Sequence, residues 1–259
     1  MLNHLIVGVD LPFDEKRFVS GFSALMPLLG VEKLTLAHVK TLDEPAAEKA
    51  QQELRGYAQL LQEKLNLKQV NFTVEPGLPA DQLNQIASKN RADGVVILFN
   101  NHSKTYEFFL GSVALNIART TYFPLLLLTE QPEEPTGTLM LASDGSLAAS
   151  AAERFFSRLG ERAQHSVIIN VQTDHDRTAH ERAIQDLQAK YEKDEKVEVI
   201  RAQGDPIKEI LQSSRYHAID LLVLGKRGQN PLKQLMFGST AERLCRQLKR
   251  PVLIIPPNL

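Results

Sequence analysis

The sequence predicts an α/β chain made of two tandem doubly wound parallel sheets of five strands each. Three observations predict this fold. Short apolar runs alternate with segments of helical spacing, the pattern occurs twice, and a polar, proline-broken stretch separates the copies. Aligning the chain on itself at an offset of 127 residues pairs Gly204 with Gly77, Pro206 with Pro79, Asp220 with Asp93, Gly238 with Gly111, Ser239 with Ser112 and Pro251 with Pro124, without a gap. Residues of these types punctuate a backbone, so their coincidence marks a duplicated fold. Upstream the register slips, Asp10 matching Asp144 at 134 and Val39 matching Val171 at 132, a difference that loops absorb.

In the first copy the apolar runs place strands near Leu5–Val9, Leu34–Val39, Val70–Val74, Val95–Leu98 and Leu125–Leu128. In the second they fall near Leu139–Ala142, Val167–Val171, Val197–Arg201, Leu221–Leu224 and Val252–Ile255. Helices fill the intervals. Over Glu48–Leu65 the residues Leu54, Tyr57, Leu60, Leu61 and Leu65 form one apolar stripe, and a helix over Ala151–Leu159 is expected to stop at Gly160. Such alternation requires right-handed crossovers, with helices on both faces of a parallel sheet. The segment Glu130–Gly137 has no periodicity and reads as the linker, dividing the chain into domains 1–130 and 138–259.

At 259 residues each half is long enough to bury its own core. Lys and Arg (30) balance Asp and Glu (31), so no global field recruits nucleic acid, an anionic membrane or an acidic partner. An anionic ligand must be held locally. The single cysteine, Cys245, excludes an internal disulfide framework and a Cys-rich metal site, and within a predicted helix it reads as a packed apolar group. The first ten residues are too short and too poorly charged for a signal peptide, and no apolar run approaches the ~20 residues of a membrane span. The expected location is the cytoplasm.

The most informative stretch is Gly225-Lys226-Arg227-Gly228, nine further residues, then Gly238-Ser239-Thr240. It lies between the buried run Ile219–Leu224 and a segment of helical spacing, Thr240–Leu248. Glycines let backbone N–H groups approach an anion, and a helix N-terminus adds orphan donors and a favourable dipole. Other readings of the same residues stay open. Gly225 and Gly228 also suit a tight strand exit, Ser239 with Glu242 spells a capping box, and Asp144-Gly145-Ser146 is turn chemistry suited to a helix cap. Lys226 reads as a solvated loop charge. In the first copy Leu98 and Asn101 stand where the second has Gly225 and Gly228, adding side chains where bare backbone is needed.

The duplicated pattern, the motif Gly225-x2-Gly228-x9-Gly238-Ser239 and the ending Arg250-Pro251-Val252-Leu253-Ile254-Ile255-Pro256 resemble the universal stress proteins, specifically those with two domains in one chain. The resemblance implies a Rossmann-like sheet of order 3-2-1-4-5, related to the adenine nucleotide alpha hydrolases, with ATP at the carboxyl ends of strands 1 and 4. A crevice at that switch point also follows from crossovers leaving to opposite faces. By the same resemblance Asp144 approaches ribose and adenine, and Val171 meets adenine through its backbone. Gly225, Gly228, Gly238, Ser239 and Thr240 hold ribose and phosphates, Arg227 adds charge, and Mg2+ bridges the phosphates. The implied output is a regulatory or interaction state in a stress response, with at most slow hydrolysis and with the loop Gln229–Phe237 ordering over the phosphates. Strand 5 is implied to pair the two domains, or two copies in a homodimer.

Two other functions remain open: a nucleotide-independent interaction scaffold, and an enzyme of the wider superfamily. No Ser-His-Asp spacing, paired carboxylates, zinc cluster or Walker lysine supplies a reacting group, and the His-x-Gly-His signature of related nucleotidylyl transferases is absent. Asp10 and Val39 keep the adenine-side pattern in the first domain, whose expected role is structural. His102–Tyr106 reads as polar loop, Asp174, His175, Asp176 and His180 as solvated surface, and His38 as a hydrogen-bonded or half-exposed strand-end histidine.

Overall fold

A computed structural model describes residues 2–40, 47–98, 112–129, 134–146, 149–173, 177–226 and 238–257. The chain divides into two compact units. The first runs β1 (His4–Gly8), α1 (Glu15–Ser23), α2 (Met26–Leu29), β2 (Lys33–Lys40), α3 (Ala47–Lys64), β3 (Gln69–Pro76), α4 (Pro79–Lys89), β4 (Gly94–Leu98), α5 (Ser112–Thr120) and β5 (Leu125–Leu128). The second runs β6 (Thr138–Ala142), α6 (Ser150–Gly160), β7 (His165–Gln172), α7 (Arg177–Tyr191), β8 (Val197–Gln203), α8 (Pro206–Tyr216), β9 (Leu221–Gly225), α9 (Ser239–Gln247) and β10 (Val252–Ile255).

Within the first unit the strand order is β3-β2-β1-β4-β5, and within the second it is β8-β7-β6-β9-β10, all pairs parallel. Both therefore follow the 3-2-1-4-5 order. The central strands are apolar on both faces: Leu5, Ile6 and Val7 in one unit and Leu139, Met140 and Leu141 in the other are at most 1% exposed, as layers of helix on both sides demand. In the second unit α6 covers β6, β9 and β10, while α8 packs beside α9. The helices after strands 1 and 4 thus leave to opposite faces, which opens the crevice between the ends of β6 and β9.

The duplication is visible atom by atom. Asp93 and Asp220 each precede strand 4 and clasp the first residue of strand 1. The Asp93 Oδ2 accepts from His4 N at 2.9 Å while Asp93 N donates to His4 O at 2.8 Å. Asp220 Oδ2 accepts from Thr138 N at 3.1 Å while Asp220 N donates to Thr138 O at 2.9 Å. Gly77 and Gly204, with φ of +135° and +133°, turn the chain from strand 3 into the next helix, a conformation that glycine adopts without strain. Their N–H groups donate to Lys40 O and Gln172 O, at 3.2 and 3.1 Å.

Several element boundaries differ from the sequence reading. Strands β2, β3, β7 and β8 run one or more residues further at their ends, because pairs such as Lys40 with Pro76 and Gln172 with Gln203 stay in register without any apolar signature. Helix α6 ends at Gly160 as expected, although without a left-handed glycine: Gly160 is the last helical residue and Glu161 after it keeps a right-handed conformation at φ −56°. The chain leaves that helix through further right-handed turns, Arg162 N donating to Leu159 O and Ala163 N to Gly160 O. Cys245 is buried on α9 as expected, and burial pushes its thiol far above the ordinary value, leaving it protonated and inert.

Asp220 is fully buried, so truncating it strands the Thr138 N–H. Asp220→Ala is expected to cost about 1–3 kcal/mol, read as a lower denaturation midpoint in urea, whereas Asp220→Asn, which keeps an acceptor, costs less.

Candidate functional site

The candidate residues lie at the carboxyl ends of β6, β7 and β9 and the N-terminus of α9. Beyond β6 the chain turns through residues 143 to 146, and side chains define that turn. Ser143 is buried; its Oγ donates to Glu153 Oε1 on α6 at 2.6 Å and accepts from Gly145 N at 3.0 Å. Asp144 Oδ1 accepts from Ser146 N at 3.0 Å, an Asx turn, and Gly145 holds φ +68°. Asp144 does not cap α6: the cap position is Ala149, which makes no side-chain cap bond. It sits half-buried beside the end of β9, since Ala142 pairs with Leu224.

Val171 lies one residue before the end of β7, half-buried and in register with Ala202. The preceding residue, Asn170, ties the two strand ends together. It is fully buried, and its Nδ2 donates to Ser143 O at 2.9 Å, while its Oδ1 has no hydrogen-bond partner. The first unit makes the same link with a different side chain: His38, also buried, bonds through Nδ1 to Val9 O at 2.9 Å. A polar residue in place of an apolar one within Val167-Ile168-Ile169-Asn170-Val171 is the signal by which the sequence announces this bridge.

Gly225 is the last residue of β9, paired with Ile255. Lys226 follows, its N–H donating to Ile255 O at 2.8 Å and its carbonyl accepting from Gly238 N at 3.1 Å. This lysine is 5% exposed, which corrects the reading of it as a solvated charge: the strand ladder continues through its backbone. Gly238 is the N-cap of α9, so Ser239 and Thr240 are its first two helical residues. The capping box is therefore not formed. Ser239 lies one position too far along to cap, the N-cap makes no side-chain bond, and Glu242 instead pairs with Arg246 at 3.0 Å. The structure brings Gly238, and with it the start of α9 at Ser239 and Thr240, to the residue after Gly225, with Asp144 beyond the adjoining strand end. Arg227, Gly228, the loop Gln229–Phe237, Asn101, Gly111, His102–Tyr106 and Asp174, His175 and Asp176 lie outside the described residues, as does the side chain of His180.

In the first unit the corresponding positions are more apolar. Leu98 ends β4 half-buried, and Val113, 51% exposed, occupies the α5 position matched by Thr240 on α9. Asp10 is exposed. Among the described residues no group of three or more His, Cys, Asp or Glu side chains is placed to hold a metal ion, and no helix is long and apolar enough to cross a membrane.

The sequence pattern of the universal stress protein family matches residues 24–129 and again residues 152–256. The chain belongs to that family, with two of its domains in tandem. A universal stress protein from Archaeoglobus fulgidus superposes with a TM-score of 0.79 at 19% identity, covering 100% of both chains. The protein PA1789 from Pseudomonas aeruginosa, described as functionally unknown, superposes with a TM-score of 0.75 at 16% identity over 99% of this chain and 94% of that one. At those identities the likeness is one of fold. The stress response protein NhaX of Bacillus subtilis is 42% identical over 53 residues, a match spanning 20% of this chain and 32% of that protein.

The Asn170 bridge predicts a specific pattern of tolerance. Asn170→His, which can donate to Ser143 O as His38 does to Val9 O, should leave the urea midpoint near that of the parent. Asn170→Leu, which leaves the Ser143 carbonyl without its donor, should lose about 1 kcal/mol.

Proposed function

We propose that the second unit binds ATP or another adenine nucleotide, and that the protein acts through this state as a regulatory or interaction protein of a stress response, the first unit being mainly structural. The observation that carries the reading is the junction of β9 with α9. A strand ending in glycine stands one hydrogen bond from a glycine N-cap, and the first turn of α9 has no side-chain cap. Its N–H groups and dipole are thus available to an anion. The residues fit a nucleotide as follows: Gly225, Gly228, Gly238, Ser239 and Thr240 around the phosphates and ribose, Arg227 adding charge, and Asp144 and the Val171 backbone on the adenine side. Mg2+ would neutralise part of the phosphate charge. Strand 5 of each unit, β5 and β10, is all leucine, isoleucine and valine, and belongs to the same proposal as the surface through which the units or two copies pair.

Titration calorimetry tests the binding. The parent should bind ATP, and Gly225→Leu, which copies Leu98 of the sister unit, should reduce affinity by about tenfold or more, as obstruction of a phosphate contact worth over 1.4 kcal/mol would. Unchanged affinity in that variant would exclude the motif from binding. Sedimentation of the same samples separates the alternatives: oligomers that form without nucleotide, in a protein that binds none, mark an interaction scaffold.

A further inference from the structure

We propose that Glu153 on α6 is a positioning residue for the nucleotide site, acting through the Ser143 hydroxyl to fix the turn that presents Asp144 to ribose and base. This assignment rests on the nucleotide reading of the second unit and adds to it a residue outside the glycine motif. Side chains hold the turn after β6. Ser143 Oγ accepts from Gly145 N at 3.0 Å, and Asp144 Oδ1 accepts from Ser146 N at 3.0 Å. A hydroxyl rotates, and it keeps a lone pair on Gly145 only while its own proton is directed elsewhere. Glu153 supplies that destination: Ser143 Oγ donates to its Oε1 at 2.6 Å, the short separation of a bond to a charged acceptor. Ser143 is 5% exposed, so water competes little for the proton. The carboxylate thus orients the hydroxyl, and the hydroxyl holds Gly145 at its left-handed φ of +68°. Asp144 lies between the two anchored residues.

The sister unit separates this link from the scaffold. At an offset of 134 residues, which pairs β1 with β6, Ser143 aligns with Val9, Gly145 with Leu11, Ser146 with Pro12 and Glu153 with Val19. Hydroxyl, glycine and carboxylate are therefore replaced together, and proline has no N–H to give to the aspartate. Asp10 is exposed where Asp144 is half-buried. The first unit nevertheless builds the same sheet order, and it keeps the other bond to this strand end, between His38 and Val9 O, where the second unit has Asn170 and Ser143 O. The bridge from strand 2 serves the sheet in both units. The bridge from α6 accompanies the intact glycine motif and serves the site.

Titration calorimetry with ATP in the full-length chain tests this for the parent, Glu153→Val, Glu153→Gln, Ser143→Ala and the double variant Ser143→Ala/Glu153→Val, with melting temperatures confirming that each is folded. Glu153→Val, which copies the sister unit, should weaken ATP binding roughly tenfold, the loss expected for one charge-assisted bond. Ser143→Ala, which leaves α6 untouched, should lose about as much. Glu153→Gln, whose amide oxygen still accepts the serine proton, should recover most of the affinity. Because the glutamate acts through the serine, the double variant should bind ATP no more weakly than either single one. Parent-like affinity in Glu153→Val or Ser143→Ala, or losses that add in the double variant, overturns the assignment while leaving the nucleotide reading intact. A parent that binds no ATP overturns the nucleotide reading, and the assignment with it.

Discussion

Each unit depends on the parallel pairing of its first strand with its fourth, and a single aspartate sets that pairing. Strand 4 is reached only after two crossovers, so its register against strand 1 is a long-range contact that local sequence cannot impose. Asp93 and Asp220 impose it by exchanging hydrogen bonds with the first residue of the strand beside them, through both backbone and carboxylate. Once the strands are level, their carboxyl ends emerge together. The turn bearing Asp144 then stands next to Gly225, and the following helices leave to opposite faces. The crevice is a consequence of that register and not of any residue lining it.

This separation of scaffold from site explains how the two units diverged. The aspartate clasp, the left-handed glycine after strand 3 and the polar bridge between the ends of strands 1 and 2 are present in both. What differs lies at the carboxyl end of strand 4 and the start of the helix after it, where Leu98 and Val113 in one unit occupy the positions of Gly225 and Thr240 in the other. Val113 and Thr240 are exposed and Leu98 is only half-buried, so the fold constrains these positions weakly. The bridge itself shows how little its chemistry matters to the sheet: histidine in one unit and asparagine in the other each reach the same carbonyl at 2.9 Å.

Much of this was legible from the sequence because its signals were local or repeated. Strands β5 and β10 coincide with their apolar runs, and Gly77 with Gly204 and Asp93 with Asp220 occupy matching structural positions. Other features were not legible. Ser239-x-x-Glu242 has the composition of a capping box, yet the helix begins one residue too early for Ser239 to cap it. Lys226 looks like a loop charge and is enclosed. In each case the composition permitted two conformations, and the neighbouring strand or helix selected one.

The sequence by itself determined that this chain carries two copies of one α/β unit, where their strands and helices fall, and that only the second copy has an intact glycine motif. Those properties reside in periodicity and spacing, which act along the chain. Only the tertiary structure decided that Lys226 is buried, that Asn170 joins the ends of β6 and β7 with one oxygen unpartnered, and that the first turn of α9 lacks a side-chain cap. These depend on which strand ends lie side by side, and hydrogen bonds between residues distant in the chain, such as Asn170 with Ser143 and Lys226 with Ile255, settle that.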